Sequence, residues 1–237
     1  MVTTERHLST HDGAVRLAAM GGVIGPILFV ILVVLGGALY EGYSHADQKI
    51  SELGGEGAQY AALQNLNFLM LGVLVTGFVW ALARVIGPPY LGPVLIGVFG
   101  LSSSIANGLL PCDAGCRGET TIGLLHNITG LTGFVAAIVG MFVLARRWRS
   151  DPNWRSHVGF TRGAACVAST GLVWFVATQA LDAQSLSGIA QRTFAGALLV
   201  WITVTAVRLT REASTADPRT SDSGTRATTA SQANHGE

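Results

Sequence analysis

Six runs of apolar residues dominate this 237-residue chain and limit what it can fold into. They lie at 17–39, 61–83, 90–110, 121–145, 163–181 and 189–207. A helix of about 20 residues spans the hydrocarbon core of a bilayer. Only 12% of the residues are charged, against about a quarter in soluble domains. We therefore predict an all-α fold, an integral membrane bundle of six transmembrane helices.

Polar residues flank the six runs at both ends of the chain. We predict a polar lead at 1–16, the six-helix transmembrane domain at 17–209 and a disordered tail at 210–237. The tail is rich in Ser, Thr and Arg and has few apolar residues to bury. The first run is too long for the core of a secretory signal and five more runs follow it, so we expect it to be retained.

Basic residues collect on one side of this arrangement. Twelve of the 15 Lys and Arg residues share that side: Arg6, Arg16, Arg84, Arg146, Arg147, Arg149, Arg155, Arg162, Arg208, Arg211, Arg219 and Arg226. By the positive-inside rule this side is cytoplasmic, and it holds both termini. The opposite side carries only Lys49, Arg117 and Arg192 against seven carboxylates. We predict a multi-pass protein of the bacterial cytoplasmic (plasma) membrane with an acidic outer face.

The longest outer loop, YEGYSHADQKISELGGEGAQY, predicts a short helix that Ser44 caps and Gly54 ends. Helical spacing places four polar residues on one face: His45, Gln48, Lys49 and Glu52. Ala46, Ile50 and Leu53 share the other face. Two interpretations stay open. The helix lies at the membrane interface with its polar face in water, or His45 and Glu52 point into a pocket.

Asn107 lies near the outer end of the third run and His126 near the outer start of the fourth. They lie on opposite arms of a helical hairpin at similar depth, about 6 to 8 Å into the membrane. Stripes of small residues on both arms favour close packing of these two helices. Because polar groups in a membrane turn away from lipid, we expect both side chains to face the bundle interior.

Two of these residues have competing interpretations. His126 is a hydrogen-bonded structural histidine, a proton-transfer or ligand-binding group, or a metal ligand. Arg192 pairs with Asp182, Glu52 or Asp113, or it binds an anion, because a guanidinium suits bidentate oxygen partners.

At the cytoplasmic side, the segment Arg146 to His157 contains four arginines and two tryptophans. That composition indicates an anchor at the lipid headgroups.

Cys112 and Cys116 lie together in the outer loop PCDAGC. An oxidising outer compartment favours a disulfide between them. Zinc bound by Cys112, Cys116 and His126 is the alternative, but it needs a fourth ligand and the spacing is not a usual zinc pattern. We predict a disulfide, no metal and no cofactor. Cys166 is expected to be a small buried apolar residue.

The motifs SHADQKISELG and PCDAGC, in this order and with His126 ten residues after the second cysteine, resemble the bacterial and archaeal membrane proteins of domain-of-unknown-function family 998. The resemblance covers about residues 17–209 and implies a compact bundle of about six helices without an established activity. The residues that match the family motifs are Ser44, His45, Ile50, Ser51, Glu52, Leu53, Gly54, Pro111, Cys112, Asp113, Gly115, Cys116 and His126.

Three functional hypotheses follow. The first is a binding or regulatory protein with an outward pocket for a small polar molecule or a lipid headgroup, lined by His45, Glu52, Asn107, Asp113, His126 and Arg192. The second is a membrane-surface hydrolase in which Glu52 or Asp113 acts with His126 in acid–base chemistry or binds a metal. The third is a transporter, which the absence of mid-membrane charge disfavours. We expect membrane lipid as a partner and no nucleic acid, and the pattern predicts no particular oligomeric state.

Overall fold

The computed structural model of the chain describes residues 2–181 and 185–215, with side chains for 13–181 and 185–211. In this described part, six helices are long and apolar enough to cross a membrane, and no strand occurs. They are α1 (Val2–Leu39), α2 (Ala61–Ile86), α3 (Leu91–Leu109), α4 (Thr121–Trp148), α5 (Val158–Ala180) and α6 (Ser187–Thr215). The predicted all-α bundle of six helices is confirmed.

The ends of the bundle differ from the predicted boundaries. Helix α1 begins at Val2, so it runs through most of the predicted polar lead. Helix α6 continues to Thr215, past the predicted start of the tail at 210. The rest of the tail, from 216 to 237, lies outside the described residues, and so does Asp182.

The six helices close into a ring. Each helix packs against the next one in the chain, and α6 packs against α1. Short connections between helices favour this antiparallel arrangement of neighbours. Large apolar side chains such as Leu17, Val73 and Val173 point outward and are exposed. The prediction that Cys166 is buried is wrong, because this residue of α5 is also exposed. The ring therefore presents an apolar outer surface to lipid and encloses an interior.

Helix α3 packs very closely between α2 and α4, and glycines permit the approach. A Cβ on Gly72 would lie 2.6 Å from the carbonyl oxygen of Gly100, and a Cβ on Gly133 would lie 2.8 Å from the backbone nitrogen of Ser103. Small residues at such contacts allow helices to approach in a membrane. The predicted small-residue packing between the third and fourth helices is confirmed.

The middle of α3 is wider than an α-helix. Residues Leu91–Val98 are α-helical, Phe99–Ala106 form a π-helix, and Asn107–Leu109 return to α-helix. A π-helix makes hydrogen bonds five residues apart, is rare, and is frequently found at functional sites. In this chain it directs Phe99, Ser103 and Ser104 into the ring interior.

One end of the ring, here called the disulfide end, carries the short 3₁₀ helix Ile50–Gly54 and the turn of Cys112 and Cys116. The other end, here called the basic end, carries the loops 87–90 and 149–157. There Arg147 donates hydrogen bonds to the carbonyl oxygens of Gly87 and Pro89, both at 2.8 Å.

The predicted headgroup anchor at the basic end is wrong for its tryptophans. Trp148 and Trp154 are 0% and 2% exposed, and their rings stack 4.6 Å apart. The ring centroid of Trp148 also lies 6.4 Å from that of Trp201 of α6. A large indole between helices is removed from water more completely than an indole at the headgroup layer. The tryptophan side chains therefore fill the interior of the bundle at its basic end.

Candidate functional site

A cavity of about 460 Å³ lies inside the ring of helices. Its lining includes Lys49, Ile50, Ser51, Cys116 and Arg117, all from the disulfide end. At the basic end the interior is closed by fully buried side chains. The cavity therefore belongs to the disulfide half of the bundle.

Phenylalanines form much of the cavity wall, and each of the six helices supplies one. They are Phe29, Phe68, Phe99, Phe134, Phe175 and Phe194. Several of the rings touch: centroids of Phe134 and Phe194 are 4.6 Å apart, and those of Phe99 and Phe134 are 5.1 Å apart. Aromatic rings in such contacts make a rigid apolar surface.

Polar residues line the part of the cavity nearest the disulfide end. They are Lys49, Ser51, Ser103, Ser104, Asn107, Arg117, His126, Asn127, Gln179 and Gln191. Among the described residues, no aspartate or glutamate lines the cavity. The cavity thus has one polar part that carries positive charge and one apolar, aromatic part.

Lys49 is the most deeply buried cation of the polar part, with 2% of its surface exposed. Its Nζ donates to the carbonyl oxygens of Gly115 at 2.9 Å and Cys116 at 3.3 Å, and to Oε1 of Gln179 at 3.0 Å. One ammonium therefore joins the α1–α2 loop, the disulfide turn and the end of α5.

The burial of Lys49 results from the local backbone. The predicted single helix from Ser44 to Gly54 is wrong: Ser44 and Gln48 close one turn, and the 3₁₀ helix begins only at Ile50. Lys49, between them, has an extended backbone with φ −70° and ψ 152°. Its side chain therefore leaves the predicted polar face and enters the bundle.

Asn107 and His126 meet inside the ring, which confirms that both face the interior. Nδ2 of Asn107 lies 3.5 Å from Nε2 of His126, and Nδ1 of His126 lies 2.6 Å from the carbonyl oxygen of Leu110. Because that carbonyl only accepts, Nδ1 carries the proton and Nε2 is an acceptor. Oδ1 of Asn107 accepts from Thr129 Oγ1 at 2.6 Å.

Two serines of the π-helix differ in how their hydroxyls are used. Ser103 Oγ donates to the carbonyl oxygen of Gly130 at 2.7 Å. Ser104 Oγ lines the cavity, its residue is 1% exposed, and it has no hydrogen-bond partner in the described part of the chain. Buried hydroxyls normally have a partner, so Ser104 offers an unused donor and acceptor to the cavity.

The other four predicted pocket residues do not line the cavity. Asp113 accepts from the backbone nitrogens of Gly118 at 3.1 Å and Thr120 at 3.0 Å. The Thr120 hydrogen bond is the main reason that the pKa of Asp113 lies below its usual range. Thr120 Oγ1 in turn accepts from the nitrogen of Gly123 at 3.0 Å. Asp113 thus organises the turn that begins α4.

Arg192 and His45 fasten the α1–α2 loop to α6. Arg192 donates to the carbonyl oxygen of Gln48 at 2.8 Å, to Tyr43 Oη at 2.7 Å and to Nδ1 of His45 at 2.9 Å. Burial and then the charge of Arg192 lower the pKa of His45, which agrees with an imidazole whose Nδ1 accepts a hydrogen bond from Arg192. Among the described carboxylates, none lies within 4.0 Å of Arg192.

Glu52 serves the loop backbone. Its Oε1 accepts from the nitrogen of Lys49 at 2.9 Å, and its Oε2 lies 3.4 Å from Nε2 of Gln48. These contacts hold the 3₁₀ helix at its start. The geometry therefore brings two of the predicted pocket residues, Asn107 and His126, together in the cavity lining, and the other four do not line the cavity.

The two cysteine sulfurs lie at bonding distance, so Cys112 and Cys116 form the predicted disulfide. Ser51 contacts both sulfurs, at 3.5 Å through its carbonyl oxygen and 3.4 Å through Oγ. The ligand atoms of the two cysteines and His126 lie within 4.8 Å of one another. Because zinc binds thiolates, the oxidised pair is not a set of zinc ligands.

A comparison with protein families identifies the family of the chain. The family described as protein of unknown function (DUF998) matches residues 23–208 of the chain. The chain belongs to this family. The match runs from α1 to α6 and agrees with the resemblance that the two motifs carried. No curated protein and no solved structure matches the chain. This DUF998 chain is a multi-pass membrane protein.

Sequence reasoning missed several residues that line the cavity, above all Lys49, Gln179 and Gln191. A signal for Lys49 was present: it is the only lysine in the chain, and it lies inside the motif SHADQKISELG. A lysine in a loop that otherwise carries acidic residues points to a specific partner. The glutamines carry no such signal, because polar residues at helix ends are common.

Proposed function

We propose that this membrane protein binds one amphiphilic small molecule, such as a lipid, inside its ring of helices. The polar head lies near Lys49, Asn107 and His126, and the apolar part lies among the phenylalanines. The supporting observation is a cavity with two chemically different parts. A molecule that matches both parts must itself have a polar and an apolar portion.

The size and lining of the cavity support this proposal. Its volume of about 460 Å³ falls within the roughly 300–1,000 Å³ of small-molecule sites. A large void in a packed interior is costly, because the side chains around it lose contacts. The free hydroxyl of Ser104 gives a ligand one further hydrogen-bond partner.

The distribution of charge supports an orientation in the membrane. We place the basic end in the cytoplasm and the disulfide end outside the bacterial cytoplasmic membrane, because positive loops stay inside. A disulfide persists in an oxidising compartment, which agrees with an external position for Cys112 and Cys116. The amphiphile then occupies the level of the outer leaflet.

Binding fits the geometry better than hydrolysis or transport. Glu52 and Asp113, the carboxylates proposed for hydrolysis, are engaged by backbone groups and do not line the cavity. A transported molecule needs a path to the basic end, where Met141, Leu144 and Trp148 are fully buried.

A matched pair of tryptophan substitutions tests the proposal. Ala195 lines the cavity and is 6% exposed, whereas Val200 of the same helix points outward and is 55% exposed. We expect wild type and Val200→Trp, purified in mild detergent, to carry the same bound amphiphile in mass spectrometry of extracted lipid. Ala195→Trp fills the cavity and should lose it. Identical lipid profiles in all three proteins would count against the proposal.

A further inference from the structure

We infer that the head of the bound amphiphile is anionic, a carboxylate or a phosphate held by Lys49. This inference rests on the proposed function and specifies its ligand class. It follows from the charges around the cavity, from the partners of Lys49 and from the groups beside it.

The charge around the cavity is one-sided. Lys49 and Arg117 both line it, and no carboxylate of the described residues does. The loops of the disulfide end are otherwise acidic, with Glu41, Asp47 and Glu56 among their residues. Nη1 of Arg117 lies 4.0 Å from Oε1 of Glu119, whereas Lys49 has no such partner among the described residues, so the unbalanced positive charge of the lining is that of Lys49.

Lys49 lacks a direct counter-ion in the part of the chain that the structure describes. Its three acceptors are two backbone carbonyl oxygens and the amide oxygen of Gln179. No carboxylate there lies within 4.0 Å of its Nζ. A buried charge without an opposite charge is unfavourable, so a bound anion would supply what the protein itself does not.

The nearest carboxylates are committed to other groups. Glu52 accepts from the backbone of the α1–α2 loop, and Asp113 accepts from the turn before α4. Burial lowers the pKa of Lys49, and the charges of Glu52 and Asp113 only partly oppose that effect. An anion in direct contact would favour the charged ammonium far more strongly.

The Lys49 ammonium can bind an anion without disturbing the fold. Two of its partners, the carbonyls of Gly115 and Cys116, belong to the disulfide turn and are fixed. The third, Gln179, is a side-chain amide that lines the cavity and can rotate. An anionic oxygen can take its place at Nζ, and Gln191, whose amide oxygen accepts from the nitrogen of Ile50, also lines the cavity and carries an amide donor.

The test compares ligands that share a tail and differ in the head. Purified full-length protein is stripped of lipid in a non-ionic detergent and titrated with palmitate, with a palmitoyl lysophosphatidate and with hexadecanol. We expect wild type to bind at least one anionic probe about tenfold more tightly than the neutral alcohol, because hydrogen bonds to charged groups are the stronger ones. The anion that binds more tightly distinguishes a carboxylate head from a phosphate head.

Variants then assign the preference to Lys49. Lys49→Met should bind hexadecanol like wild type, which also shows that it is folded, but should lose the preference for anions. Lys49→Arg should keep the preference. Arg149→Met is the control, because this exposed arginine lies in the loop at the basic end and does not line the cavity, so it should keep the wild-type preference for anions.

The outcomes separate this inference from the proposed function. Equal affinity of wild type for all three probes would refute the anionic head and leave amphiphile binding intact. An anion preference that survives in Lys49→Met would refute the role of Lys49. Failure of all three probes to bind, together with no difference between wild type and Ala195→Trp, would overturn both.

Discussion

At the scale of single residues, backbone conformation decides which polar groups reach the cavity. Helical spacing placed Lys49 beside His45 and Glu52, but an extended backbone at Lys49 turns its side chain inward. His45 and Glu52 stay with the loop, where Arg192 and the Lys49 backbone nitrogen hold them. Periodicity assumes one continuous helix, so it could not indicate this change of direction.

The two serines of the π-helix give a test at the same scale. Ser104→Ala removes a buried hydroxyl without a partner in the described residues. We expect the free energy of unfolding of the lipid-free protein to rise by up to about 1 kcal/mol, since an unsatisfied buried group is costly. Ser103→Ala removes the hydrogen bond to Gly130 and should lower the free energy of unfolding by about 1 kcal/mol.

Denaturant unfolding in detergent, followed by tryptophan fluorescence, measures both variants. The comparison is matched, because the two residues are neighbours in one helix and lose the same atom. A loss of stability in Ser104→Ala as large as that in Ser103→Ala would show that its hydroxyl already has a structural partner.

At the scale of helices and loops, hydropathy predicted most of the fold. Bilayer thickness sets the length of a spanning helix, so six apolar runs became six helices. Residue counting along the two arms of the hairpin also predicted that Asn107 and His126 lie at the same depth, and the two side chains do meet in the structure. It could not predict the π-helical segment Phe99–Ala106, since that depends on how α3 packs between α2 and α4.

The loops at the two ends of the bundle allow a test of the predicted orientation of the protein in the membrane. In a background with Cys166→Ser, Gln59→Cys marks the disulfide end and Ser150→Cys marks the basic end, and both native residues are exposed. We expect a membrane-impermeant maleimide to label Gln59→Cys in intact cells and Ser150→Cys only after permeabilisation. The reverse labelling would place the acidic face in the cytoplasm.

At the scale of the whole molecule, ring closure creates the cavity. Helix α6 returns to pack against α1, a contact between the two ends of the transmembrane domain. Each helix then contributes one phenylalanine to a common wall. The sequence of a single helix does not indicate this shared wall, because nine phenylalanines are spread along the chain. Six of them line the cavity only when the ring of helices is closed.

The most direct measurement of the central claim is an experimental structure of wild-type protein extracted in mild detergent. We expect elongated density in the cavity, with its head within hydrogen-bonding distance of Lys49 Nζ and its tail against the rings of Phe99 and Phe134. An interior in which the lining side chains fill the cavity, with no continuous density inside it, would contradict the binding of an amphiphile.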